Sequence, residues 1–250
     1  VKFADKYWRI VRINGDGTVR VIYDGTSAHA NGESSSDRQI GTSAFNSSYN
    51  DNAYVGYMYG TTGASTYAAA HANTNDSTIK AYIDNWYKTN ILGTANEEYL
   101  ADNIFCNDRS ISNDNTGTGA GTTHTNYRWH YGPWYSGNHN DNMKLVCPQQ
   151  NDAFTVSDTT KGNGALTYPV GLLSTDEVVL AGGWNASNSG YYLYSGQVWW
   201  ASSPGDFYSN ARVRVVLSDG NARVCNSVDR SSGGVRPVFN LKAEVLAQGT

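Results

Sequence analysis

Chemistry in a folded chain needs a nucleophile, a base and an orienting group that converge, or metal ligands at fixed spacing. The 250-residue sequence offers three cysteines, Cys106, Cys147 and Cys225, and five histidines, His29, His71, His124, His130 and His139. It has no CxxC pair, no Cys/His cluster at zinc spacing, no GxSxG, HExxH or P-loop, and no GxGxxG between a strand and a helix. An enzyme is therefore not expected, and neither is a cofactor. The histidines lie in polar or glycine-rich stretches and read as solvated loop residues over a metal site. Asn113-Asp114-Asn115, Asn140-Asp141-Asn142 and Asp51-Asn52 are rich in the oxygens a hard cation requires, but none has EF-hand spacing. Asx turns account for these clusters, with a structural calcium as the alternative.

Cys106 and Cys147 flank a Gly/Asn/Thr-rich excursion with little apolar pattern to hold it. A disulfide between them would close that loop, worth about 4 kcal/mol in the chain-entropy model. The alternative is two buried thiols. With the pair formed, Cys225 stays unpaired.

These residues must be positioned by a real core. Charged residues are only 16% of the chain, yet it carries 7 Trp, 18 Tyr and 6 Phe at a net charge of −4. Disordered chains combine high net charge with few aromatics, so disorder is excluded. The missing charge is replaced by Gly, Asn, Ser and Thr, the residues of turns and short strands. No apolar run approaches the ~20 residues of a membrane span, and no basic cluster suggests nucleic acid. The composition suits an extracellular or cell-surface β-rich binding domain. The abrupt start at Val1, with no leader, leads us to expect an upstream segment that has been trimmed away.

Tyr7–Ile13 and Thr18–Tyr23 alternate around Asn14-Gly15-Asp16-Gly17, which predicts a hairpin. Residues 24–52 read as loop and Tyr54–Tyr59 as a short buried strand. Ile79, Tyr82, Ile83 and Trp86 make one apolar stripe, which predicts a helix over Ser77–Ile91 capped by Asn75 or Asp76. A helical turn is expected near 95–102, with Glu97 and Glu98 at its start. Residues 107–142 read as loop around the cluster Tyr127, Trp129, Tyr131, Trp134 and Tyr135. A helix over Thr175–Ala181 opens on the capping box Ser174/Glu177 and stops at Gly182-Gly183. The last third is β: Tyr191–Tyr194, Val198–Trp200, a Ser203-Pro204-Gly205 break, Ala211–Leu217, Ala222–Val224 and Val235–Leu241. This order makes one α+β domain over 1–250, with the first and last strands paired and the termini together.

Four blocks carry a resemblance: Tyr7-Trp8-Arg9-Ile10 before the G-D-G-T turn; Leu166–Ser174 before an acidic helix; Trp199-Trp200 followed by Ser203-Pro204; and Gly234–Lys242, GVRPVFNLK. Together, across nearly the whole chain, they resemble a bacterial surface domain of C-type-lectin-like fold, related in architecture to the formylglycine-generating-enzyme fold. The same ending occurs in variable proteins of diversity-generating retroelements. In that family a reverse transcriptase copies a template repeat, randomises its adenines and replaces the 3′ part of the target gene. Template AAY codons then give a wide set of amino acids, but never Lys, Glu, Gln, Met or Trp. From Ser203 to Val235 none of these five types occurs, although together they form about a tenth of the chain.

The resemblance implies a ligand- or receptor-binding protein with a variable region near 203–235, facing a protein or glycan on another cell or host surface. It also implies an N-terminal anchor upstream. The alternative is a non-diversified surface or pilin-tip adhesin domain of the same fold, which binds carbohydrate in one version. Alternation in Ala211–Leu217 puts Arg212 and Arg214 on one face, read as the wet one. Asp206, Tyr208, Ser209, Asn210, Arg212, Arg214, Asn221, Arg223, Cys225, Asn226, Asp229 and Arg230 then form the candidate binding face, with Tyr and Arg as anchors. Trp8, Trp199, Trp200, Val213, Val235, Val238 and Phe239 are expected in the core, with Arg236 against it.

Overall fold

Asn14 and Gly17 fold the first hairpin. The Asn14 N–H donates to Thr18 O (2.8 Å) and the Gly17 N–H to Asn14 O (2.9 Å), with Gly17 at φ 84°. These bonds join β2 (Lys6–Ile13) to β3 (Val19–Gly25) in the computed structural model, which describes residues 1–113, 117–128, 143–183, 186–222 and 224–247. The short β1 (Lys2–Phe3) lies on the outer edge of β2. The last strand, β12 (Val238–Leu241), pairs antiparallel with β3, from Val238↔Ile22 to Leu241↔Val19. The closing strand thus joins the second arm of the hairpin and not the first. β3 becomes interior and is buried at all seven positions, whereas β2 keeps exposed residues.

The second sheet has the order β11-β10-β9-β7. Its strands are β7 (Thr125–Asn126), β9 (Trp199–Phe207), β10 (Ala211–Val216) and β11 (Cys225–Ser227). β9 runs through Pro204, where the sequence predicts a break. The register shifts on both sides of the Val213↔Pro204 pair, and such an irregularity tolerates a residue without an N–H. Two-residue ladders pair β4 (Met58–Tyr59) with β5 (Asn75–Asp76), and β6 (Phe105–Cys106) with β8 (Ala153–Phe154).

The helices are short: α1 (Tyr67–Ala70), α2 (Thr78–Asn90), α3 (Thr175–Leu180) and α4 (Glu244–Ala247). Ser77 caps α2, its hydroxyl accepting from the Lys80 N–H at 3.2 Å, because the expected caps Asn75 and Asp76 are taken into β5. The buried stripe of α2 is Ile79, Ile83 and Tyr87, while Tyr82 and Trp86 flank it. The expected strand at 54–59 is a 3-10 turn (Asn52–Val55) followed by β4, and the turn near 97 is a 3-10 helix (Glu97–Tyr99). α3 carries the full capping box. The molecule is α+β, mostly strand, and no described helix is long and apolar enough to cross a membrane.

One hydrophobic cluster holds all seven expected core residues. Trp8 packs on Phe239 (4.8 Å between centroids), and Trp86 covers both. The Trp200 indole donates to Ser43 O at 2.9 Å, and a Cβ at Gly233 would run into it. Charges are interred beside this core. Arg236 donates to Tyr23 O (3.0 Å), Leu193 O (2.6 Å) and the Asp24 carboxylate (2.9 Å). Arg9 and Arg38 meet the same carboxylate at 2.7 Å. Glu177 of α3 holds Arg12 and Arg20, and Asp152 holds Arg109.

Cys106 and Cys147 are disulfide-bonded across 41 residues, with Cα atoms 5.5 Å apart, and Cys225 is a free thiol. Within the bridged excursion Tyr127 is buried. Trp129, Tyr131, Trp134, Tyr135, His130, His139, Asp114, Asn115 and the Asn140-Asp141-Asn142 cluster lie outside the described residues.

Candidate binding face

The site is built at one end of the second sheet. Tyr208, Ser209 and Asn210 form the turn from β9 to β10, and the register puts Asp206 opposite Arg212. Their side chains meet in two parallel bonds, Nε to Oδ1 at 2.6 Å and Nη2 to Oδ2 at 2.7 Å. That bond to Asp206 raises the Arg212 pKa above its ordinary value. Tyr208 is 70% exposed. The Val228 N–H donates to Ala211 O at 3.0 Å, which brings the exposed pair Asp229 and Arg230 beside the same turn. Asp206, Tyr208, Ser209, Asn210, Arg212, Asp229 and Arg230 therefore gather as expected.

The other expected residues do not join them. Arg214 shares the Arg212 face but is only 3% exposed, so the wet-face expectation fails for it. β10 is an interior strand, and from Val213 to Val216 both of its faces are covered. Cys225 pairs with Arg214 across the β10–β11 ladder, and its Sγ lies 3.7 Å from Asp206 Oδ2. Burial pushes the Cys225 thiol pKa up, so it is no ready nucleophile. A Cβ at Gly205 would stand 2.8 Å from the Cys225 Cβ, so a glycine there lets the strands close. Asn226 pairs with Val213, on the opposite face from Arg212, and its Nδ2 is buried without a hydrogen-bond partner among the described residues. Asn221 belongs to the turn at the far end of β10, about 17 Å from the Tyr208 turn at strand rise. Arg223 lies outside the described residues.

Two residues at this end escaped the sequence reading. Tyr49, 46% exposed, accepts the Ala211 N–H at its backbone O (2.7 Å). The His124 ring packs edge-on to Tyr208, 4.6 Å between centroids at 82°. Both come from loops more than 80 residues upstream of β10, where no periodicity or motif marks them. This end of the sheet thus carries Tyr49, His124 and Tyr208 beside the half-buried Asp206–Arg212 ion pair.

The remaining histidines correct the solvated-loop reading. His71 is fully buried, and burial, with Arg109 beside it, pulls its pKa down to about 3. His29 lies between two carboxylates, Nδ1 to Glu33 and Nε2 to Asp37, each at 2.8 Å. The Asp51 carboxylate accepts from the Ala53 N–H (2.8 Å), as an Asx turn does, and from the Gly63 N–H (2.6 Å) across the loop. Among the described residues no group of three or more His, Cys, Asp or Glu is placed to hold a metal ion. No protein-family model, no curated protein and no solved structure matches the chain.

Proposed function

We propose that the chain is a ligand- or receptor-binding surface domain of C-type-lectin-like fold, with a segment near 203–235 diversified by a retroelement. The supporting observation is the division of labour within that segment. Its apolar residues Ala211, Val213, Val215, Val228 and Val235 are buried, while Tyr208, Ser209, Asp229 and Arg230 stand exposed at one end. Such an arrangement lets outer side chains change without disturbing the core. The missing Lys, Glu, Gln, Met and Trp add to it. The partner is a protein or glycan on another cell, the location is extracellular, and the chain does no chemistry of its own.

Burial of Arg214 favours a second reading, a non-diversified adhesin of the same fold, because a randomised position is expected to face outward. Sequencing the DNA beside the gene separates the two. A reverse transcriptase with a near-repeat differing at adenines supports diversification at the outer positions. Absence of both removes it.

A further inference from the structure

Folding leaves one group of aliphatic side chains in water. Among the described residues Val146 (80% exposed) and Ile13 (71%) are the most exposed large hydrophobic residues, and Leu145 is 48% exposed. All three line one concavity of about 430 Å³, with Ile104, Asp16 and Lys161. Distant parts of the chain are fastened there. The Asn103 amide donates to Asp16 Oδ2 (3.0 Å) and to the Thr18 hydroxyl (3.1 Å), which ties the tip of the β2–β3 hairpin to the segment before β6. The Cys106–Cys147 bond holds Leu145 and Val146 beside Ile104. The walls are therefore set before anything binds. An exposed apolar patch with a polar rim marks a surface that meets another protein.

The rim decides which protein. Lys161 Nζ lies 3.8 Å from Asp16 Oδ2 and 3.7 Å from Asp158 Oδ2, and the Lys161 side chain is half exposed. Such long, wet pairs contribute little, so exchanging their partners costs little. A cation and an anion thus stand side by side on one patch. A two-fold contact between identical patches sets Lys161 of each copy against Asp16 of the other and matches both charges at once. A partner surface of uniform charge would oppose one of them with its like. The outer edge of β2 is a poor alternative. β1 covers only Lys6 and Tyr7 of it, and the register shift between Ile10 and Arg12, with Arg12 itself, guards the remainder against strand pairing.

We propose that this patch binds a second copy of the chain, in a two-fold dimer in which Val146 of each copy enters the concavity of the other. Each copy then supplies both the knob and the hollow, as an isologous contact requires. The contact uses none of the residues of the face at Tyr208. It is small, and the association is correspondingly weak and reversible.

Sedimentation equilibrium from about 1 μM to about 1 mM protein tests this. We expect a monomer–dimer equilibrium within that range. Val146→Asp and Ile13→Asp should each weaken it by roughly tenfold or more with the melting temperature unchanged, since both side chains stand in water in the monomer. Lys161→Glu should weaken it more than Lys161→Gln, because it sets like charges against each other across the two-fold axis. Tyr208→Ala, and Ile10→Lys on the β2 edge outside the patch, should leave it unchanged. A monomer at every concentration would overturn the dimer. Dimers that survive both Val146→Asp and Ile13→Asp, or that Ile10→Lys abolishes, would overturn the patch as the contact. Equal effects of Lys161→Gln and Lys161→Glu would overturn the charge matching.

Discussion

Asp24 and Asp206 each hold arginine across neighbouring strands, and they do so in opposite surroundings. Asp24 is buried and faces three guanidinium groups, from Arg9, Arg38 and Arg236. Further N–H groups of these arginines donate to backbone carbonyls of His29, Ala30, Glu33, Tyr192, Tyr23 and Leu193 and to Asn31 Oδ1. Asp206 meets a single Arg212 whose side chain is 39% exposed. The first cluster ties residue 9 to residue 236 and allows no vacancy, because any member removed strands a buried charge. The second is only half-buried, so removing one partner strands far less charge. The contrast teaches how one chain sets a tightly paired, buried charge cluster apart from a more accessible ion pair.

The largest effect should follow from breaking the buried side. Asp24→Asn leaves three guanidinium groups without a counter-charge and should cost about 3–5 kcal/mol in urea unfolding. A loss under about 1 kcal/mol would mean that the cluster is hydrated and equivalent to the exposed pair. Cys106→Ser/Cys147→Ser is expected to follow closely. A loop of 41 residues gives about 4 kcal/mol as an upper figure, since relaxation in the unfolded chain reduces it. Intact-mass thiol counting on the unreduced protein should find one free thiol, at Cys225, and three would refute the bridge.

The frame was legible in the sequence where the signal is local. The turn at Asn14–Gly17, the capping box Ser174/Glu177 and the seven core residues all depend on neighbours a few positions away or on apolar type. The disulfide is legible because the excursion shows little apolar pattern, although the structure also anchors it through β7 and the buried Tyr127. The apolar neighbours of Arg236 predict its place against the core, but nothing in the sequence points to its partner Asp24, 212 residues away with no pattern joining them. The face was half legible. Alternation assigns Arg214 and Arg212 to one side of β10 correctly, yet alternation is silent on what covers that side. Tyr49 and His124 reach the face through tertiary contact alone. The paired strands differ for a related reason, since which arm of a hairpin receives a distant strand is decided by burial of the whole sheet.

A smaller effect should appear with pH in the loop that borders Asp24. His29 bonds Glu33 and Asp37, near Ser27, and its carbonyl accepts from Arg9. Burial works against the imidazolium, but the bonds to Glu33 and Asp37 outweigh it and raise the His29 pKa. A neutral ring could donate to only one of the two carboxylates. The clasp's contribution is therefore full below the unfolded value near 6.5 and is lost as pH rises through the higher folded value. Glu33 and Asp37 are held below their ordinary values, Glu33 chiefly by His29 and Asp37 by Ser35, His29 and Thr26 together against burial. Their contribution is present above about pH 4 and falls away in acid. Amide protection factors across 26–38, taken against the intrinsic exchange rate at each pH, should be largest between these limits, and His29→Gln should abolish their fall on the alkaline side. Protection factors unchanged across pH 5–9 would detach the loop from the charge.

The smallest effect belongs to the exposed pair, and it sharpens the comparison within a single strand. Arg212 and Arg214 are two residues apart, point to the same side of β10 and differ in burial. A double-mutant cycle of Asp206→Ala with Arg212→Ala should return a coupling of about 0.2–1 kcal/mol, because both charges regain water when parted. Tyr208→Ala should fall within about 0.5 kcal/mol, its ring being mostly in solvent. Arg214→Ala should cost more than the whole cycle, since it removes a buried side chain and its contacts from the interior of the sheet. Equal losses for Arg212→Ala and Arg214→Ala would place both residues in one environment. The boundary between frame and face would then have to be drawn at the Tyr208 turn and not along β10.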